Sequence, residues 1–542
     1  MRQRLLYFFA CILSGVSVCA QADTLPWSID LDDVVVTAQY APTEARNAIH
    51  KVTVLNRQEW EEQGLNDLSE LLQRQMTMQV NPDPILGNGL SIQGIGGQNV
   101  QIMIDGVPVV GRLGGEIDLT QLNLTQFARV EIIAGAMSAR YGSDAAGGVI
   151  NLITAKEQAN LWKIEAGGQY ETIDLDRQHL RLGRQLGDWQ IDGGLNRYVA
   201  RFAPEDSLRA GSVPWNPKDQ FGYDLNLRYR PSDSLRLNYG YRRFDETVSL
   251  LGDIRRPRFR PYVVDEIFDT RRKDHSLGAS IGLSPSLSAE LTAGWNTFDR
   301  YKRTRRRDLE PDTTRLLPGG QDTTRYTGQL VRFSVNTTHQ RALGGQLGLE
   351  YRWEGGSGGR ILDTATQSRT PTTRNVAAWA GLRYRLTATW TVEATARIGY
   401  NSRYDHPVVP ALHLLWRPTE QWRWRASYAA GFRAPAIQEL FFNFIDVNHY
   451  IIGSQSLAAE RSRNWRLQGA WDGGRRLPLS VDGELFYNRI QDRITIADLA
   501  GDARFTYVNL NEYETHGATL QLHYAPDDQW SITTGGALTR VS

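Results

Sequence analysis

The sequence predicts a mainly β chain, a transmembrane antiparallel β-barrel preceded by a small α+β domain. Three observations predict it. The 542 residues include 50 Gly, 15 Trp and 22 Tyr, yet mean hydropathy is −0.43. Many aromatics without apolar runs suit a surface where only every second residue faces lipid. From about Leu161 onward apolar and polar residues alternate with period two, the period of a strand with two unlike faces. After the first residues no apolar run is long enough for a transmembrane helix.

Residues 1–22 read as a secretory signal. Arg2 and Arg4 supply the positive start, Leu5 to Val18 an apolar stretch too short to span a bilayer, and Val18-Cys19-Ala20 or Ala20-Gln21-Ala22 a cleavage site. A lipidated Cys19 is the alternative, although Val18 is bulky for that position. Cys11 and Cys19 are the only cysteines, so the mature chain is expected to carry no disulfide framework and no cysteine metal site. A net charge of +1 gives no reason to expect a nucleic-acid partner.

Residues 23–44 form a short tail in which acidic residues precede Asp33, Val34, Val35, Val36, Thr37 and Ala38. The β-branched run favours an extended chain. Residues 45–155 differ in character. Asp67 to Leu72 is the most helix-like stretch, with Asn66 or Asp67 as N-cap. Val100 to Ile104 and Arg129 to Ile133 are short β runs divided by glycine clusters.

Residues 156–542 carry the barrel rhythm. Phe221, Tyr223, Leu225, Leu227 and Tyr229 alternate with polar residues, turn at Pro231 to Ser234, and return through Leu235, Leu237, Tyr239 and Tyr241. Leu277 to Leu283 pairs in the same way with Leu287 to Trp295, and Leu412 to Trp416 with Trp422 to Ala426. Long polar segments near 243–272, 297–325, 354–373 and 433–458 alternate with these short turns, as outer-membrane barrels do. A soluble β-sandwich or propeller would put polar residues on the outward face.

Two stretches are specific. LSIQGIGGQNVQIMIDGVPV spans Leu90 to Val109, and RVEIIAGAMSARYGSDAAGGVINLIT spans Arg129 to Thr154. Both resemble the plug signatures of the TonB-dependent outer-membrane receptor family, and the resemblance covers essentially the whole mature chain. It implies a plug lodged inside the barrel lumen and a bacterial outer-membrane location. Asp33 to Ala38 resembles the TonB box, a strand exposed to the periplasm that pairs edge-on with TonB, itself driven by an inner-membrane complex. The alternative is an internal plug strand. Only about ten residues separate the cleavage site from this box, too few for the extra domain of receptors that signal to gene regulators.

Within the plug, Gly94, Gly96, Gly97, Gly106, Gly142, Gly147 and Gly148 suit turns and close backbone contacts, beside Asp105 and Tyr141. Arg129, Glu131 and Arg140 resemble the charged groups that hold plug against barrel wall; simple surface salt bridges are the alternative. The glycines match neither a dinucleotide fingerprint nor a P-loop.

For ligand, Arg255, Arg256, Arg258 and Arg260 form one loop cluster, and Tyr301, Arg303, Arg305, Arg306 and Arg307 another. Guanidinium groups grip carboxylate or catecholate oxygens, so an anionic ferric siderophore suits the mouth. Binding of lipopolysaccharide phosphates or plain solvation are the alternatives. Haem is a second candidate, since Gly431 to Pro435 (GFRAP) resembles a haem-receptor box with His449 in the loop beyond; the companion Asn-Pro box is absent and His50 is the plug's one histidine. Cobalamin is a third, and a passive porin is the rival of another class. Nine scattered histidines make no catalytic or metal constellation, so neither enzyme activity nor a resident cofactor is expected. The receptor is expected to be a monomer among outer-membrane lipids.

Family barrels have about 22 strands, whereas about 17 alternating runs follow Leu161, an odd number where even counts are the rule. The chain ends at Arg540-Val541-Ser542 without a terminal aromatic. The expectation is a barrel lacking about five C-terminal strands, with a smaller closed barrel as the alternative.

Overall fold

The computed structural model describes residues 34–40, 43–83, 87–154, 160–201, 216–257, 260–310, 312–337, 342–445, 450–474, 477–498, 504–527 and 529–542. The signal segment, Asp33, Arg258 and His449 lie outside them.

The N-terminal unit is built on a five-stranded sheet, in the order Thr53–Asn56, Phe127–Ala134, Gly148–Thr154, Val100–Ile104 and Val107–Pro108. Gly148–Thr154 is central, antiparallel to Phe127–Ala134 and parallel to Val100–Ile104. A strand covered on both faces needs apolar residues in continuous run, and GVINLIT is buried along its whole length. One face, through Ile132, Ile150 and Leu152, packs on Trp60, Leu68 and Leu72 of the helices Arg57–Glu62 and Leu68–Gln73. The Asp67 side chain caps the second helix by accepting from the Glu70 amide at 3.0 Å, which satisfies one of the unpaired amides of its first turn. The opposite face, through Met103, Ile133 and Val149, packs on Val35 and Ala38.

The remaining strands form one twenty-stranded sheet that follows chain order from Trp162–Glu171 to Trp530–Val541. Three of its strands, Asp312–Leu316, Asn443–Ile445 and Tyr450–Ile452, are short loop elements. Setting these aside leaves the number of alternating runs read from the sequence. Among the described residues no pairing joins the first strand to the last. The expected hairpins are present, with Lys218–Ser232 on Leu235–Leu250, Tyr262–Ser284 on Leu287–Leu309, and Val409–Trp416 on Trp422–Arg433.

The wall is inverted relative to a soluble sheet. In Lys218–Ser232 the polar Gln220, Asp224, Asn226 and Arg228 are buried, whereas Phe221 and Leu225 are exposed. Only lipid outside and a filled lumen inside make that arrangement stable. Trp189 stacks on Tyr229 and Trp390 on Trp416, at 4.3 and 5.1 Å between rings, beside short turns. They form an aromatic girdle at one membrane interface.

One expectation needs correction. Segments 243–272 and 297–325 are largely strand, since Tyr262–Ser284 and Leu287–Leu309 run 23 residues each. Beyond the lipid both faces of a strand meet polar surroundings, so the apolar alternation that marks a strand disappears while the backbone pairing continues.

Candidate functional site

The inner end of the plug is built around the N-terminal segment. Val34–Val35 pairs antiparallel with Thr43–Glu44. Beyond it the chain lies against the plug sheet, with Val35, Thr37 and Ala38 at 1% exposure or less. The Glu131 carboxylate accepts from the Val36 amide at 3.1 Å and the Thr37 amide at 2.7 Å. The Tyr141 hydroxyl accepts from the Ala38 amide at 2.8 Å. Asn151 Nδ2 donates to Thr37 Oγ1 at 3.0 Å, and Arg140 donates to the Gln39 carbonyl. Ala38 takes a left-handed backbone, φ 56°, which costs free energy for a residue with a Cβ. Tyr40 lies between Arg383 and Arg140, whose guanidinium carbons are 4.5 and 5.8 Å from its ring centre; burial, then the Glu393 charge, raises its phenol pKa.

At the outer end, plug and wall enclose a cavity of about 110 Å³ lined by Gln98, Arg112, Asp144, Arg352, Glu354 and Tyr404 among others. Its charges are paired: Arg352 reaches Glu354 at 2.5 Å and Asp144 at 3.4 Å. Burial lowers the pKa of Arg112 and raises that of the facing Glu116. Arg112 donates to the carbonyls of Gly97, Val100 and Gly115, so it braces the plug's apical loops. The charged part of the cavity lining is thus nearly balanced.

Between these ends the plug grips the wall through directed polar contacts. Asp105 meets Arg242 at 3.2 Å, and the Gly106 carbonyl accepts from Arg332 at 3.1 Å. The neutral amides Gln93, Asn99 and Gln121 donate to Glu484, Glu460 and Glu246 at 2.7 to 2.9 Å. The GFRAP stretch belongs to this set. Arg433 reaches Glu460 and Glu439 at 2.6 and 2.8 Å, while the Phe432 and Ala434 amides donate to Ser138 and Ser143 of the plug. It clamps plug to wall. His50 faces Glu393 at 3.5 Å and His413 at 4.2 Å between rings, away from the outer cavity. Among the described residues no cluster of His, Cys, Asp and Glu is arranged to hold a metal.

A plug with the N-terminal segment docked on one face, inside an inverted β wall, has a family counterpart. Residues 44–149 match the TonB-dependent receptor plug domain, and residues 221–541 match the TonB-dependent receptor-like β-barrel. The chain belongs to the TonB-dependent receptor family. These are outer-membrane proteins of Gram-negative bacteria. The receptor is 26% identical over 421 residues to the vitamin B12 transporter BtuB of Vibrio cholerae, covering 76% of this chain and 64% of that protein. In fold it is similar to the ferric yersiniabactin uptake receptor FyuA of Yersinia pestis, with a TM-score of 0.72 and 16% identity over 92% of this chain and 79% of that one. It is equally similar to the ferric enterobactin receptor PfeA of Pseudomonas aeruginosa, with a TM-score of 0.72 and 17% identity over 94% and 82%. The receptor chain spans about two thirds of the length of the vitamin B12 transporters it matches.

The structure re-sorts the sequence-derived site residues. Val35 to Ala38 are not an exposed strand; they are docked on the plug, because an apolar sheet face and the Glu131 carboxylate are both open to them. Glu131 is fully buried, so it is neither a surface salt bridge nor a wall contact. Its partners are Arg129, at 2.7 Å, and the docked N-terminal segment. Arg140 and Tyr141 hold the same segment, and Asp105 and Gly106 hold the wall. Gly94, at φ 81°, turns the chain against the last strands, where its carbonyl accepts from Tyr513. Gly142 sits at φ 80° with the place of a Cβ 3.0 Å from Arg397 Nη2. Gly96, Gly97, Gly147 and Gly148 lie in the adjoining plug turns and strands.

The arginine clusters do not converge on the cavity. Arg255, Arg256 and Arg260 are exposed. Tyr301, Arg303, Arg305, Arg306 and Arg307 lie in the strand Leu287–Leu309, not in a loop. Phe298 contacts the plug at Gly111, and Asn296 donates to the Pro108 carbonyl, so even-numbered residues face the lumen. Tyr301, Arg303, Arg305 and Arg307 therefore face outward; only Arg306 turns inward, stacked on Tyr262 at 3.7 Å. Counting parity onward from Phe298 gives this orientation once the strand is known to continue. Among the wall acids, Glu246 lay in a segment read as loop, whereas Glu484 stands at an inward position of an alternating strand.

Proposed function

We propose that this receptor imports a scarce metal chelate across the outer membrane, driven by TonB pulling on Asp33 to Ala38. The docked coupling segment carries this reading. Its hold on the plug runs through the amides of Val36, Thr37 and Ala38, the groups a partner strand competes for in β-augmentation. A segment held this way can be exchanged onto TonB without a change of side chains. A passive porin needs neither the plug nor the segment. Deleting Asp33 to Ala38 is expected to abolish energised uptake and leave surface binding intact; unchanged uptake would overturn the reading.

For the ligand, two chemistries have support. A ferric siderophore, the anionic iron chelate favoured by the arginine-rich mouth, is supported by the exposed Arg255, Arg256 and Arg260. A corrinoid is supported by the sequence relatives named vitamin B12 transporters and by the near balance of charge around the outer cavity, which suits a ligand of low net charge. Two converging axial histidines for haem are not found among the described residues. Competition between cyanocobalamin and ferric enterobactin for the same cells separates the two chemistries.

A further inference from the structure

A second cavity, of about 490 Å³, lies between plug and wall at the inner end. Val36, Gln39 and Tyr40 of the coupling segment line one side of it, and Arg228, Asn238 and Ser334 of the wall line another. Arg228 is 8% exposed, and its Nη1 and Nη2 have no hydrogen-bond partner among the described residues. Glu290 on the same cavity is exposed to solvent, and the buried or partly buried acids near Arg228 are already engaged. Asp192 and Asp224 bind Arg181 at 2.8 and 2.7 Å, and Asp105 binds Arg242 at 3.2 Å. Of the other cations on the cavity, Arg140 and Arg332 donate to the Gln39 and Gly106 carbonyls, and Arg236 is exposed to solvent. Among the described residues lining the cavity, Arg228 is the buried guanidinium left without a partner.

Keeping a guanidinium buried without a partner is strongly unfavourable, and an uncharged side chain would serve packing better at that place. Its planar fork of donors matches a carboxylate or phosphate. We propose that this cavity is an exit chamber, in which Arg228 binds an anionic carboxylate or phosphate group of the ligand on its way to the periplasm. The proposal rests on the import reading and adds to it a subsite on the inner side of the plug. The coupling segment borders the chamber, so displacing Val36 to Tyr40 widens the side through which the group leaves.

The test needs no transport. Asn238 is paired in register with Arg228 on the neighbouring strand and is exposed. Asn238→Cys, in a full chain carrying Cys11→Ser and Cys19→Ser, places one thiol beside the guanidinium. Purified protein is treated with an anionic and a cationic methanethiosulfonate of similar size. With Arg228 present, the anionic reagent is expected to be favoured by roughly tenfold relative to the ratio in Arg228→Gln. Excess inorganic phosphate should slow it only where Arg228 is present. Arg228→Lys should keep the charge preference and lose most of the phosphate protection, which separates binding from damage to the wall. A reagent ratio unmoved by Arg228→Gln, or phosphate protection equal in both proteins, overturns the proposal. Failure here leaves the import reading standing, whereas failure of the coupling-segment deletion removes import without touching this anion site.

Discussion

The two ends of the plug hold their contents by different means. At the inner end, Glu131 and Tyr141 hold main-chain amides of residues 36–38. At the outer end, the side chains of Asp144, Arg352 and Glu354 line the cavity and pair with one another. Main-chain bonds are indifferent to side-chain identity and can be exchanged for those of a partner strand. Side-chain pairs are specific and recognise shape and charge. The contrast suits the proposed roles, with force received at the inner end and a ligand read at the outer. The sheet between them carries both: its helix-facing side is sealed by Leu68 and Leu72, and its other side is left for Val35 and Ala38.

Breaking the inner end should give the largest effect. Glu131→Ala leaves the Val36 and Thr37 amides and the Arg129 guanidinium without their acceptor, and docking should weaken by about 3 kcal/mol. Limited proteolysis of folded protein should then cut within residues 34–40, where the wild type resists. Gly142→Ala tests the plug turn beside the wall. A Cβ at φ 80°, 3.0 Å from Arg397, should cost about 1–3 kcal/mol, read as a lower denaturant midpoint. Tyr141→Phe removes one acceptor and should weaken docking by about 1 kcal/mol, giving intermediate proteolysis.

A pH effect belongs to the helix-covered side of the sheet. Burial, then the Glu70 charge, pushes the Asp67 carboxyl up to about 7 from 3.8. A folded-state pKa above the unfolded one means that the native plug binds the proton more tightly. This contribution is present at low pH and is lost as pH rises from about 4 to about 7. Asp67→Asn keeps an N-capping side chain and should flatten the pH dependence of plug stability over that window. A slope equal to that of wild type would show that Asp67 is not its source.

Much of the fold was legible because its periods are strict. Strand alternation located the hairpin at Pro231 to Ser234, and the short β runs Val100 to Ile104 and Arg129 to Ile133 marked two strands of the plug sheet. The long outer strands were not legible as strands, since Arg303, Arg305 and Arg307 stand above the lipid with polar residues on both faces. The candidate site was legible as a set of residues but not as a set of contacts. Arg140, Tyr141 and Glu131 were singled out by resemblance to a family motif. Their convergence on Val36 to Gln39 depends on pairings nearly a hundred residues apart, which no local pattern encodes. Arg228 was hidden for the opposite reason: one inward arginine in an alternating strand looks like any other lumen residue until its partners can be counted.

The central claim is that import requires the coupling segment to leave its dock on the plug. Thr37 and Asn151 are in side-chain contact at 3.0 Å, so Thr37→Cys with Asn151→Cys can be bridged by a short thiol crosslinker, in a chain carrying Cys11→Ser and Cys19→Ser. Energised uptake and surface binding are then measured in the same cells before and after bridging. Loss of uptake with binding unchanged, reversed when the bridge is cleaved, is the expected result. Uptake at the unbridged rate with the segment still tethered to Asn151 would contradict the account.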